Sequence, residues 1–148
     1  MITYVNTFKV NILDPLESLL ANEFGGAIHY DEEFKIRGSQ WFNLSPIADS
    51  LVEERVDSQL RDYNVQIRYY RHSSGQKAKN THVSPSMEIG ERLKRLIKNN
   101  SHYTSGATYF WHDGRVDSIN YNLVADDVSP DYVIVEANFI ATVEEVMS

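Results

Sequence analysis

The sequence predicts an α+β fold: a mainly antiparallel β-sheet with a long N-terminal helix and a second helix packed on one face, in one domain over residues 1–148. The sheet follows from stretches of alternating residues, and the helical cover from stretches spaced by threes and fours. In Leu60 to His72, Tyr63, Val65, Ile67 and Tyr69 alternate with Asp62, Asn64, Gln66 and Arg68. Period-two alternation of this kind marks a strand with one buried face and one wet face. Ala107 to Leu123 and Tyr132 to Val143 repeat the pattern.

The chain then reads in order. Val5, Phe8, Ile12, Leu16, Leu19, Leu20 and Phe24 form one helical face. Asp14-Pro15 interrupts it, either as a kink or as a cap with a first-turn proline. Because the stripe keeps its phase, one kinked helix is favoured, ended by Gly25-Gly26. Ala27 to Tyr30 is a short apolar run, and the acidic residues at 31–33 form a solvated turn. Phe34 to Leu44 reads as a strand after a loop, stopped by Ser45-Pro46. Ser50 to Val56 reads as strand with helix as its competitor, since 51, 52, 56 and 60 also fit helical spacing.

Arg71 to Val83 has almost nothing to bury and exceeds the usual connection of ~4–6 residues, so a long polar loop is expected. Ser84-Pro85 then opens a helix with Ile89, Leu93, Leu96 and Ile97 as its buried stripe, closed by Asn99-Asn100-Ser101. Glu88 and Glu91 lie early in it and Arg92, Lys94, Arg95 and Lys98 late, the order that complements a helix dipole. Asp113-Gly114 between strand-like runs predicts a tight hairpin turn. A loop over 125–131 leads to the final strand, where Ile134 and Ile140 fall on the nominally wet face and imply that part of it is covered.

Composition narrows the function. Hydrophobic content of 42% and charged content of 24% are those of an ordinary soluble domain. No apolar run approaches the ~20 residues of a membrane helix, and no signal peptide is expected from the first residues. The absence of cysteine excludes disulfides, Cys-ligated zinc and thiol catalysis, and fits a reducing compartment. A net charge of −7 argues against a general nucleic-acid binder but leaves room for a local basic patch.

No motif announces chemistry. His29, His72, His82, His102 and His112 form no ligand pair at helical or strand spacing. His72 and His82 flank the polar loop, where two surface histidines outweigh a metal site. His112-Asp113-Gly114-Arg115 offers a base, an acid and a cation, but a hairpin turn requires Asp-Gly by itself. Glu32-Glu33 and Glu53-Glu54 are neighbours, which point to opposite faces of a strand and make no dyad. No catalytic, cofactor-binding or metal-ligating residue is therefore assigned, and no cofactor is expected. Arg68, Arg71, Lys77 and Lys79 lie on or beside the loop, where length and charge coincide, and suit contact with an acidic partner or phosphate. The tyrosines suit sheet core or interface.

The order of elements resembles a known family. An amphipathic N-terminal helix, the strand RDYNVQIRYY, a polar loop, the helix SPSMEIGERLKRLIKNN, the stretch YFWHDGRVDSINY and a last alternating strand follow one another. This is similar to the small tail-terminator, or tail-completion (head–tail joining), proteins of tailed bacteriophages over nearly the whole chain. It rests on arrangement and not on an invariant motif, so no functional residue is transferred. The resemblance implies a non-enzymatic virion protein whose copies close into a ring, typically six-fold. That ring caps the tail tube at the tail–neck junction after synthesis in the host cytoplasm. Its partners would be further copies of itself, the tail tube protein, a neck or head-completion protein and, in a contractile tail, the sheath. DNA would pass through the ring without specific binding, and no membrane is involved. Candidate assembly contacts are Arg68, Arg71, Lys77, Lys79, Ile134 and Ile140. Another neck or head-completion protein is the runner-up, ahead of an enzyme with a dispersed site and a nucleic-acid or regulatory binding module.

Overall fold

The alternating stretch at 60–72 becomes the centre of the protein. The computed structural model describes residues 1–26, 28–30, 38–73, 80–123 and 131–147. Its strands are β1 (Ile28–His29), β2 (Gln40–Glu54), β3 (Ser58–His72), β4 (Tyr103–Ser105), β5 (Thr108–Asn122) and β6 (Tyr132–Val146), in the sheet order β1-β2-β3-β6-β5-β4. β3 pairs antiparallel with β2 on one side and with β6 along its whole length on the other. The sheet is antiparallel except at β1, which runs parallel to β2 through Ile28–Phe42 and His29–Asn43. It is thus a mixed sheet and not a purely antiparallel one.

Register puts the apolar rows on one face. Phe42 and Leu44 of β2 stand opposite Tyr69 and Ile67 of β3, which stand opposite Val135 and Ala137 of β6. All of these are buried, together with Val65, Phe139, Ala141 and Trp111. Two helices cover this face: α1 (Asp14–Phe24), which supplies Leu16 and Leu20, and α2 (Asn80–Asn99), which supplies Leu93 and Ile97. Aromatic contacts join cover to sheet, Phe8 meeting Tyr63 edge-on at 4.9 Å and Phe24 meeting Phe42 at 4.9 Å. Arg92 ties the helices together, its guanidinium 4.4 Å from the Phe24 ring centre and donating to the Glu23 carbonyl at 2.8 Å.

The N-terminal helix keeps its expected face but is short. Phe8–Leu13 is a π-helical turn, and only the eleven residues from Asp14 to Phe24 are α-helix. The Asp14 amide donates to the Lys9 carbonyl, five residues back. Pro15 has no amide to offer the carbonyl of Asn11. The Asn11 side chain fastens this turn to β5, donating to the carbonyls of Tyr109 at 3.3 Å and Phe110 at 2.9 Å. Gly25 closes α1 at φ 69° with its amide on the Ala21 carbonyl, as the sequence predicts.

Three boundaries differ from expectation. Ser45-Pro46 does not stop the strand: β2 runs on to Glu54, with a register shift between Pro46 and Ala48. A proline is tolerated there because β2 beyond β1 is an edge. Residues 50–54 are accordingly strand, the favoured alternative. α2 begins at Asn80, ahead of the expected Ser84-Pro85 start, with Pro85 inside it. There Ser86 Oγ donates to the His82 carbonyl at 2.6 Å, which binds the early turn together. The polar loop is therefore shorter than 71–83.

The third difference is at Asp113-Gly114, which makes no hairpin turn. β5 continues through it with a bulge between His112 and Arg115, while the hairpin lies between β4 and β5 at Gly106, φ 61°. Asp113 supplies the left-handed residue at φ 52°, a role an Asp-Gly pair fills in a bulge as well as in a turn. Gly114 is required for space, because a Cβ there would meet the indole Nε1 of Trp111. Trp111 cannot retreat, being fully buried with its N–H on the Asn100 carbonyl at 2.9 Å. Gly114→Ala is expected to cost about 1–3 kcal/mol as an overpacked core. Asp113→Gly, which relieves the left-handed residue, should be near neutral. Denaturant midpoints with tryptophan fluorescence measure both, and equal effects would refute the close-approach account.

Candidate assembly surface

The helix-free face of the sheet is polar, and its largest hydrogen-bonded network spans β5, β6 and β3. Thr142 Oγ1 donates to Asp62 Oδ1 at 2.5 Å, and Asp62 Oδ2 faces Arg115 at 3.5 Å. Nearby, the Tyr109 hydroxyl and His112 Nδ1 lie 2.5 Å apart. Burial raises the Tyr109 phenol above its ordinary value of 10 and keeps it protonated, and the same hydroxyl also donates to the Thr142 carbonyl at 3.4 Å. Arg115 closes back on the Asp113 carboxylate at 3.1 Å. The base, acid and cation of His112-Asp113-Gly114-Arg115 are thereby engaged in bracing the bulge. Among the described residues no group of three or more His, Asp or Glu is placed to hold a metal ion. His72 and His82 have separate partners, the first edge-on to Tyr132 and the second accepting from Arg71 Nε at 3.3 Å.

The predicted assembly contacts fall into three groups. Arg68 lies on the polar face against Glu136 at 3.3 Å, and half-buried Arg71 ties the end of β3 to α2 through His82. Lys77 and Lys79 lie outside the described residues. Ile134 packs with Trp41, Tyr70 and Tyr132, an aromatic cluster in which Trp41 stacks on Tyr70 at 4.9 Å. Its expected cover thus comes from within the chain. Ile140 is half-buried between Asn64 of β3 and Arg115 of β5.

A further exposed apolar surface lies along the edge of β2. β1 pairs only with Phe42 and Asn43, so β2 from Ser45 to Glu54 is an open edge among the described residues. Along it Ile47, Leu51 and Val52 are each half exposed or more, and Val56 at the β2–β3 turn is 99% exposed. The ends of β2, β3 and β6 form a tongue extending past the register at which β5 meets β6. A shallow cavity of about 470 Å³ lies against the tongue, between Ile2, Tyr4 and Val5 and the strand end Val143–Met147. On the opposite side of the sheet β4 covers only Thr108 to Trp111, so among the described residues β5 from Arg115 to Asn122 is a second open edge. No family model matches the chain, and no curated protein matches it in sequence.

Little in the sequence announces this surface. Ile47, Leu51 and Val52 were legible as apolar, but nothing local says that β1 is two residues long. The same tongue holds a titratable group. Burial and a hydrogen bond to the Glu145 carboxylate hold the Tyr63 phenol far above its ordinary value of 10, with Tyr109 shifted the same way. The unfolded chain releases these protons near pH 10 and the folded chain retains them. Their contribution to stability is therefore complete below pH 10 and is lost as pH rises beyond it. Unfolding midpoints should fall between pH 10 and 11, and less steeply in Tyr63→Phe. Identical slopes for the two proteins would contradict the assignment.

Proposed function

We propose that the protein is a structural subunit of a closed ring, a tail terminator that caps a phage tail tube and joins it to the neck. The observation that carries this reading is the pair of open strand edges on opposite sides of one sheet, β2 from Ser45 to Glu54 and β5 from Arg115 to Asn122. Open edges are liabilities in a lone subunit, and proteins that keep them commonly pair them. Two different edges on one subunit make a heterologous contact, which forms a ring where its rotation closes. The exposed Ile47, Leu51, Val52 and Val56 give the contact apolar area.

On this reading the partners are further copies, the tube protein below and a neck or head-completion protein above. The ring is six-fold, as the resemblance implies, and resides at the tail–neck junction. Light scattering and negative-stain microscopy of the purified protein, alone and with tail tubes, test it. Closed rings, free or seated on tube ends, are expected. A strict monomer at high concentration that also fails to bind tubes would overturn the proposal.

A further inference from the structure

Resting on that reading, we propose what covers the open edge of β2: residues 2–5 of a second copy add to it as a strand and bridge it to their own β6. Two exposed apolar stretches stand out among the described residues. One is the edge itself, with Ile47, Leu51, Val52 and Val56. The other is the N-terminal segment, where residues 1–6 form neither helix nor strand and Ile2, Tyr4 and Val5 are 84%, 80% and 70% exposed. Isoleucine, threonine, tyrosine and valine follow one another at 2–5, all residue types that favour strands. An extended segment of this kind adds to an open edge through its backbone hydrogen bonds, while its side chains supply apolar contact.

The segment points away from its own β2. Residues 4–8 cross the helix side of the tongue, sharing a shallow cavity with Asp49, Tyr63 and Glu145. Ile2 and Thr3 lie farther out, on the cavity of about 470 Å³ at the end of β6. That cavity takes residues 143–147 in succession and, among the described residues, none from β3. Successive strand residues face opposite sides of a sheet, so the cavity runs along the free side of β6 and not over one face. The side is free because β5 meets β6 only as far as His112–Thr142. Asn11 fastens the root of the segment to β5 on the same flank. The segment thus stands where the next copy presents its β2.

Charge favours this segment over a bare strand. The free length of β2 carries Asp49, Glu53 and Glu54, and the end of β6 carries Glu144 and Glu145. The tongue's two arginines are already shared within the subunit. Arg55 meets Glu144 at 2.9 Å and Glu53 at 3.4 Å, and Arg61 meets Asp49 at 2.6 Å and Glu145 at 3.9 Å. A β6 end set directly against a neighbour's β2 would therefore oppose like charges, as would a second β2. Residues 1–8 carry no charged side chain. A strand made from them holds the two acidic strands roughly 10 Å apart, two inter-strand spacings, and still pairs the edge.

The chain has no cysteine, so introduced thiols report the contact cleanly. Thr3→Cys and Ser50→Cys, made in separate copies and mixed, are treated with a short bis-maleimide, and the linked peptides are identified by mass spectrometry. A covalent dimer joining the N-terminal peptide of one copy to the β2 peptide of another is expected. A mixture of Thr3→Cys with Ser118→Cys, on the β5 edge, should give little. Ile2→Asp with Tyr4→Asp, placed against the acidic edge, should abolish both the link and the rings seen in negative stain. Both positions are exposed, so circular dichroism and melting should stay those of the wild type. A link found only within single chains of the double-cysteine protein, a preference for β5, or rings that persist in the aspartate variant would overturn this contact and leave the ring standing. Linked dimers from a wild type that forms no rings, alone or on tubes, would overturn the ring and leave the contact. Absence of both would overturn both.

Discussion

Everything in this protein hangs on β3 being paired on both sides. Its fifteen residues meet β6 one-for-one from Ser58–Val146 to His72–Tyr132, and β2 follows on the other flank. A one-residue slip would send Tyr63, Val65, Ile67 and Tyr69 to the polar face, so burial of this row fixes the register of three strands together. The helices are placed as a consequence. α1 and the π turn bring Ile12, Leu16 and Leu20 to the row, and α2 brings Leu93 and Ile97. The aromatic contacts then set the approach, since Phe8 and Phe24 must seat against Tyr63 and Phe42.

What the sequence made legible was the part governed by short-range periodicity. The alternation of β3 and β6 corresponds to buried positions, and the apolar stripes of both helices to buried or partly buried ones, except Val5, which lies ahead of the first helical turn and is exposed. What it hid depended on partners distant in the chain. Asp113-Gly114 satisfies a hairpin turn and a bulge equally well, and only the continued pairing of β5 with β6 decides for the bulge. Pro46 reads as a strand breaker unless the neighbouring position is known to be empty. The start of α2 at Asn80 is misread because Ser84-Pro85 imitates a cap, while the bond from Ser86 to His82 acts within the earlier turn. The candidate surface was hidden for the same reason: exposure of an edge is a property of the whole sheet.

The two faces of the sheet divide the work between folding and display. The apolar face is sealed by helices, and the polar face is held by side-chain ladders such as Thr142–Asp62–Arg115. The aromatic cluster of Trp41, Tyr70 and Tyr132 stabilises the opposite end of that face, so Ile134 is accounted for within the subunit. The edges and the tongue are where apolar and charged groups remain in excess.

An open edge invites any strand, so a subunit that keeps one must avoid unlimited association. Charge on an edge blunts indiscriminate pairing, and β2 carries Asp49, Glu53 and Glu54 along its free length. The same carboxylates set like charges against each other wherever two such edges would meet. In the proposed ring every such edge is paired, and the net charge of −7 opposes unlimited association of the chain.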